Sequence, residues 1–426
     1  MSGQIVSLTE GLAARLVRSV APEARARARA HLLDWLACVA GAAKSDLLSI
    51  ARRAEPDRLV RAALLGNVLE MDDVDRLGRL HPGPVVWPAA LLAARETGAD
   101  LAALLDAAVR GYEAMIAIGR SLDDHHYARW HPTATAGGFG AAAAAASLLG
   151  LDASETVAAL GHAGSLAGGL WQVRHEPEAL TKSVHVAQAA RSGLWFARLA
   201  QAGAKGPRFI LEGPQGLWAA MAGRADPAAL DPAAPGWRIT EVSFKPWPAC
   251  RHAHPGIDAA LALPEGALAQ GPIRVETYGD ALAFCDRPEP RTPGEARFSL
   301  QHSIAVVAVR GRPAPIDFEM QAIADPALSA VRARVSVARD PGFDSAYPAH
   351  YGARVSAGGA SVEVADAWGD PERPLDRAGL EAKARMLLGW GGLAPSEAEA
   401  AIAFALDAPL ESPVAPLLDR LGHWLA

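Results

Sequence analysis

Lysine is scarce in this chain. It occurs at positions 44, 182, 205, 245 and 383 only, although basic side chains total 41. Each lysine is therefore a candidate for a position that wants a compact, titratable ammonium instead of a fixed guanidinium fork. Blocks of like charge are missing too, and the net charge is −6, which argues against nucleic acid or an anionic membrane as the main partner. The longest uncharged run, Trp130 to Leu151, is dominated by alanine and glycine and contains Pro132, a poor membrane span. Met1 to Val20 has no basic start followed by a strong apolar run, so no signal peptide is expected. Cys38, Cys250 and Cys285 lie far apart, without metal or redox spacing, as suits a reducing cytoplasm. Also lacking are a glycine-rich phosphate loop followed by Lys-Ser/Thr, a strand–GxGxxG–helix unit and a Gly-x-Ser-x-Gly elbow. ATP, dinucleotide and serine-hydrolase readings are correspondingly weak.

With 426 residues, half of them apolar, core volume for two domains is available. The organising stretch is Trp130-His131-Pro132-Thr133-Ala134-Thr135, which opens a small-residue run ending near Gly150. Pro132 suits a first helical turn, and the hydroxyls of Thr133 and Thr135 lie beside the N–H groups that a helix start leaves unpaired. The small side chains of Gly137 to Ala146 let a neighbouring helix approach closely. An imidazole at the positive end of that helix makes a place for a carboxylate and a proton-transfer group together. The plain alternative is a buried helix whose first turn happens to hold a histidine.

Residues 8 to 120 and 151 to 224 read as helices, among them Ala24 to Ala42, Val60 to Met71, Pro84 to Thr97, Leu101 to Leu122, Asp152 to His162 and Ala187 to Gln201. His81-Pro82-Gly83 repeats the His-Pro helix start of 131. Asp123 to Tyr127 reads as a polar loop, as does Trp171 to Leu180. After about 240 the pattern changes. Phe244 to Pro255 is too proline-rich for a helix interior, whereas Ile273 to Tyr278, Val331 to Ala338 and Gly352 to Val364 look like strands. Helices are expected at Pro255 to Leu263, Ser299 to Arg310, Leu380 to Leu388 and Ser396 to Leu406. The expected architecture is mainly α: an all-helical domain of residues 1–244 plus 376–426, with an inserted smaller α+β domain at 245–375.

The acidic cluster Asp72, Asp73 and Asp75 invites a magnesium reading, but a second acidic-amide cluster to complete a two-sided clamp is missing. A solvated helix end is the simple alternative. A third reading has Glu70 or Asp73 orienting His81. Lys182 and His185 share a face at i, i+3 if their segment is helical; His185 and His162 also fit core or interface positions. Taken together, His81, His131, Lys182, Lys245 and the Cys250/His252/His254 group point to a site for a substrate carrying several carboxylates.

In order along nearly the whole chain come His81-Pro82-Gly83, Gly111-Tyr112-Glu113, Trp130-His131-Pro132-Thr133-x-Thr135-x-Gly137, Thr181-Lys182-x-x-His185, Leu211-Glu212-Gly213 and Lys245-Pro246-Trp247-Pro248-Ala249-Cys250-Arg251-x-x-His254. This set resembles the MmgE/PrpD family, the 2-methylcitrate dehydratases with cis-aconitate decarboxylase and iminodisuccinate epimerase as relatives. The resemblance implies a cofactor-independent enzyme without a metal, with a large helical domain, a smaller α+β lid domain and a site between them, usually as a homodimer. By motif, His81, His131, Lys182 and Lys245 take the family's active-site positions, with Arg174 and the Glu70 to Asp73 region lining the same pocket. Thr133, His185, His254 and His302 join the substrate-binding candidates, and Cys250 is a candidate second acid/base or a small buried apolar residue. Three departures stand out: Val74 where the family has a threonine, Cys250 where the decarboxylase has a histidine, and His302 where it has a tyrosine. They weaken the expectation of cis-aconitate decarboxylation.

The expected chemistry is removal of a proton α to a carboxylate of a di- or tricarboxylate, with β-elimination of water. Lys182, Lys245 and Arg174 would clamp carboxylates, with His131 or His81 as base and the other as acid. An epimerase of a dicarboxylate and a non-catalytic helical binding protein are the alternatives.

Overall fold

The computed structural model describes residues 6–176 and 178–426. The first five residues of the Met1–Val20 segment, and Pro177 within the polar stretch after Trp171, lie outside the described residues. Two compact units are present. Unit 1 comprises the chain to Val68, Asp72–Val242 and Leu380–Ala426; unit 2 comprises Leu69–Met71 and Ser243–Gly379. The fold is mainly α, with a smaller α+β part.

Unit 1 is helical. Its main elements are α1 (Pro22–Gly41), α2 (Arg58–Leu65), α3 (Gly83–Thr97), α4 (Leu101–Arg120), α5 (Pro132–Leu149), α6 (Ala153–Ser165) and α7 (Thr181–Gln201). Their ends are marked locally. Asp100 caps α4 by accepting from the Ala103 N–H, and Asp152 forms a capping box with Glu155 at α6. Gly98 and Gly150 end α3 and α5 in the left-handed conformation. α5 is buried along most of its length, with α3, α4, α6 and α7 packed against it. The small-residue run is what permits this. A Cβ placed on Gly140 would lie 2.8 Å from the Gly111 carbonyl oxygen of α4, so the two backbones cross almost in contact.

Two sequence expectations shift here. The helix expected to run to Met71 stops at Leu65. Glu70 sits at φ 54°, which a right-handed helix excludes. Asp123 to Tyr127 is not a plain loop, because Asp123 caps a one-turn helix at Asp124–Tyr127.

Unit 2 holds a four-stranded sheet in the order β2-β1-β3-β4: β1 (Ile273–Thr277), β2 (Val335–Arg339), β3 (Ala353–Ala357) and β4 (Ala360–Val364). β1 pairs parallel with β2 and antiparallel with β3. β3 and β4 form a hairpin, with Ala357 opposite Ala360 around Gly358 and Gly359, both at positive φ. That is the backbone a two-residue hairpin turn demands. Around the sheet lie α8 (His254–Leu261), α9 (Gly279–Cys285), α10 (Leu300–Arg310) and α11 (Pro326–Arg332). The strand expected from Val331 to Ala338 is thus divided. Pro326, with the Asp325 carboxylate accepting from the Ala327 N–H, starts a helix that buries Leu328 and Val331. Pairing with β1 begins only at Val335. Among the described residues no helix is long and apolar enough to cross a membrane.

Candidate functional site

The two His-Pro helix starts meet in unit 1. At the first, the loop before α3 carries three buried carboxylates. Asp73 accepts from the Gly83 N–H at 2.8 Å and from the Tyr112 hydroxyl at 2.6 Å, and it pairs with His31 Nδ1 at 2.7 Å. A Cβ on Gly83 would sit 2.8 Å from Asp73 Oδ1, so only glycine lets this carboxylate cap α3. Asp75 is fully buried and is forked by Arg120 at 2.5 and 3.1 Å. The solvated-helix-end reading is therefore wrong, because all three aspartates are buried.

His81 follows. Its backbone N–H donates to Thr133 Oγ1 at 3.0 Å, tying one helix start to the other. Its Nδ1 lies 2.8 Å from the Asp73 carbonyl oxygen and 2.9 Å from Asp72 Oδ2. The carbonyl takes the hydrogen bond, the Asp72 carboxylate stands beside it, and Nε2 takes no part in these contacts. The residue orienting His81 through a carboxylate is thus Asp72, not Glu70 or the Asp73 side chain. The Asp73 carboxylate already has Gly83, Tyr112 and His31 as partners.

At the second start His131 occupies the N-cap of α5, its N–H donating to the Gly169 carbonyl at 2.7 Å. The ring is 2 % exposed and lies 4.5 Å, centroid to centroid, from Trp171. Its Nδ1 is 3.3 Å from Nδ1 of His185, so one ring donates to the other. His185 is half-buried on α7, one turn beyond Lys182, as the i, i+3 spacing requires. Burial, then the charges of Lys182, His185 and His81, hold the His131 pKa well below its usual value; Asp72 opposes them weakly. Burial lowers His185 as well. Arg174 sits with its guanidinium 5.7 Å from the Trp171 ring, which stacks near His131. It lies in a short 3-10 helix, Trp171–His175, where the sequence suggested a loop. His126, which the sequence reading passed over, bridges to Thr135 Oγ1 at 2.9 Å and stacks on Trp130. Its pKa is pushed down to about 4, chiefly by burial.

Unit 2 gathers a different set. Lys245 is fully buried, its Nζ 3.5 Å from Glu70 Oε2. Burial pushes the Cys285 thiol up, with Cys250 beside it and Glu70 adding to the shift. Arg251 pairs with Asp370, whose Oδ1 also accepts from the Ser243 hydroxyl. His254 is buried and donates Nε2 to the Ala249 carbonyl at 3.0 Å, closing the proline-rich turn. His302 donates Nε2 to the Asp317 carbonyl at 2.7 Å and accepts from Arg332 on Nδ1 at 3.1 Å. Both nitrogens of His302 are thus engaged inside the fold. Its pKa falls to about 4, first through burial.

Scarce lysine proves an incomplete guide. Lys383 is a buried partner of Asp34 at 2.5 Å, and Lys44 lies 5.2 Å over the Trp390 ring. Among the described residues, His350, Asp366 and Glu372 have donor atoms within 4.8 Å of one another and could hold a cation; they lie at the surface of unit 2, apart from Lys245 and Glu70 in composition and exposure.

Comparison with known proteins agrees with these motifs. The MmgE/PrpD N-terminal domain matches residues 60–230 and the MmgE/PrpD C-terminal domain matches 247–408. Cis-aconitate decarboxylase of Homo sapiens is 29 % identical over 43 % of this chain and 39 % of its own length. The Mus musculus enzyme is 30 % identical over 51 % of the chain and 47 % of its length. The cis-aconitate decarboxylase-like protein oryM of Aspergillus oryzae is 33 % identical over 36 % of the chain and 33 % of its length. The chain thus spans less than half the length of each of these lyase-type relatives. With matches to both family domains in order, the chain belongs to the MmgE/PrpD family.

Proposed function

We propose that the chain is a cofactor-independent lyase that removes a proton α to a carboxylate of a di- or tricarboxylate and eliminates water across the neighbouring carbon. The observation that carries this is the unit 1 cluster: two imidazoles at two helix starts, joined through Thr133, with Lys182 acting electrostatically on His131. An α-proton is weakly acidic, so the barrier falls only if the developing enolate meets fixed positive charge. Lys182, Arg174 and the first turn of α5 supply it.

In this reading His81 Nε2 accepts the carbon-bound proton, the electron pair becomes the new C=C bond, and the C–O bond breaks. His131 gives the departing hydroxide its proton, leaving water. Burial first, and then the charges of Lys182 and the neighbouring histidines, keep His131 neutral in the free protein. A polyanionic substrate offsets those charges, so binding brings a proton onto His131. Calorimetry in buffers of different ionisation enthalpy reads that uptake; binding without proton uptake removes His131 as the acid.

Lys245 and Cys250 remain candidates from unit 2 on the strength of their motif, and Lys245→Ala tests the first: turnover unaffected by that change excludes it. The deciding experiment incubates di- and tricarboxylates, cis-aconitate included, with the protein in D₂O and follows them by NMR. Deuterium at the α-carbon with release of water supports the dehydratase. Exchange with inversion and no loss of water points to an epimerase, and release of CO₂ to a decarboxylase. No exchange with any acid, together with tight binding, leaves a binding protein.

We further propose a homodimer through the face of α7. A groove of about 740 Å³ there exposes Leu166, Val184 and Trp195. Its rim carries both signs, with Arg198 on Glu96 and Arg191 near Glu55, a pattern able to complement a second copy of itself. Light scattering reads the state, and a Trp195→Asp chain that stays dimeric refutes this face.

A further inference from the structure

Two of the three cysteines, far apart in sequence, come together in unit 2. Cys250 ends the proline-rich turn and its N–H donates to the Arg297 carbonyl at 2.8 Å. Cys285 is the last residue of α9. The residues beside them lock the two segments: the rings of His252 and Phe284 stack at 5.0 Å, and His252 Nδ1 meets the Tyr278 hydroxyl at 2.7 Å. Tyr278 in turn senses both cysteines. Cys250 stands beside Cys285 and, after burial, is what pushes that thiol up. Two cysteines on segments locked side by side in this way are the arrangement that an S–S bond of about 2.0 Å requires. Cys38, in α1 of unit 1, takes no part.

Exposure differs between the two. Cys285 is fully buried and Cys250 is 6 % exposed, so a small oxidant meets Cys250 first. Burial pushes the Cys285 thiol up, which keeps it protonated in the resting protein.

We propose that Cys250 and Cys285 are a reversible oxidation site, closed to a disulfide by hydroperoxides and reopened by thiols. In the first step a Cys250 sulfur attacks the peroxide, giving a sulfenic acid and water. In the second, Cys285 attacks that sulfur, forming S–S and releasing a second water. Hydrogen peroxide and two thiols thus give one disulfide and two waters. The bond would tie the turn that begins at Lys245 to the end of α9, fixing the segment that carries the family motif. The site stands on this geometry whatever substrate the enzyme takes.

The test uses the purified full chain, reduced with dithiothreitol and then treated with a few equivalents of hydrogen peroxide. Intact mass is expected to fall by about 2 Da, and thiols counted after denaturation to drop from about three to about one. Peptide mapping without reductant should join the Cys250 and Cys285 peptides, and dithiothreitol should restore the starting mass. Cys285→Ser should abolish the loss of about 2 Da and instead add about 16 or 32 Da at Cys250. Oxygen adducts alone on the native chain, an unchanged mass, or a bond to Cys38 would each overturn the proposal. Because mass is read without substrate, failure here is separate from failure of the lyase assignment.

Discussion

The helix starts at 81 and 131 are written with the same two residues, yet they make different environments. His81 is 14 % exposed and is held from behind, by a carbonyl and the Asp72 carboxylate on Nδ1. His131 is almost sealed, faces another imidazole and has the charge of Lys182 bearing on it. The difference comes from what lies three-dimensionally behind each ring. Behind the first is an acidic loop packed on α1 and α4, with His31 and Tyr112 gripping Asp73. Behind the second is α7, which brings Lys182 and His185. One motif thus yields an imidazole with a counter-charge and another that resists charging, the pairing expected of groups with opposite proton-transfer tasks.

The sharpest way to break this comparison is to remove each ring in turn. His81→Ala and His131→Ala should each lower kcat by roughly 10²–10⁴-fold with folding preserved by circular dichroism. In D₂O, however, His81→Ala should lose α-deuterium exchange, whereas His131→Ala should retain it and lose water release. Equal loss of exchange in both would erase the division of labour.

Acid comes next. His31 and His126 in unit 1 and His302 in unit 2 each have pKa values pushed down to about 4, burial being the largest cause. The unfolded chain therefore binds protons that the fold refuses, and stability falls as pH drops from about 6.5 towards about 4, by up to ~1.4 kcal/mol per pH unit for each group. Asp34 works in the opposite sense. Its pKa is raised to about 6 by burial, so the stability it contributes is present at low pH and lost as pH rises through about 6. Three histidines outweigh one aspartate, so thermal unfolding should shift downward on acidification over this range; a flat or rising melting temperature would contradict the buried neutral imidazoles.

Asp72→Asn should reduce kcat by at most about 10²-fold with KM little changed, because the Asp73 carbonyl still aims the ring while the counter-charge is gone. A raised KM at constant kcat would make Asp72 a substrate contact instead. The smallest effect is expected from Tyr112→Phe. It removes one of the donors to Asp73 and leaves Trp87 Nε1 without its 3.1 Å acceptor, at a cost of about 1–3 kcal/mol in denaturant unfolding. Unchanged stability would show that His31 and Gly83 hold Asp73 unaided.

Much of the fold was legible in residues 83 to 201, where helical periodicity, Pro at first turns and glycine or aspartate caps agree with one another. The strand split at Val331 was not, because a capped short helix and a buried strand have the same apolar look over seven residues. In the site, spacing alone put Lys182 and His185 on one helix face. It could not reveal that Asp72 rather than Glu70 stands behind His81, since neighbouring carboxylates in an irregular loop point by backbone torsion and not by period. Nor did it separate His131, facing the cluster, from His254 and His302, each of which gives its Nε2–H to a carbonyl of its own unit.

The helical body and the proline-marked helix starts could be read from sequence, because short-range backbone preferences set them, whereas the stretch from Gly352 to Val364, expected as a strand, folds as a hairpin. Long-range packing settles which titratable groups are neutral and which carboxylates are anchors. Those outcomes depend on burial and on charges tens of residues away along the chain, which no local pattern encodes.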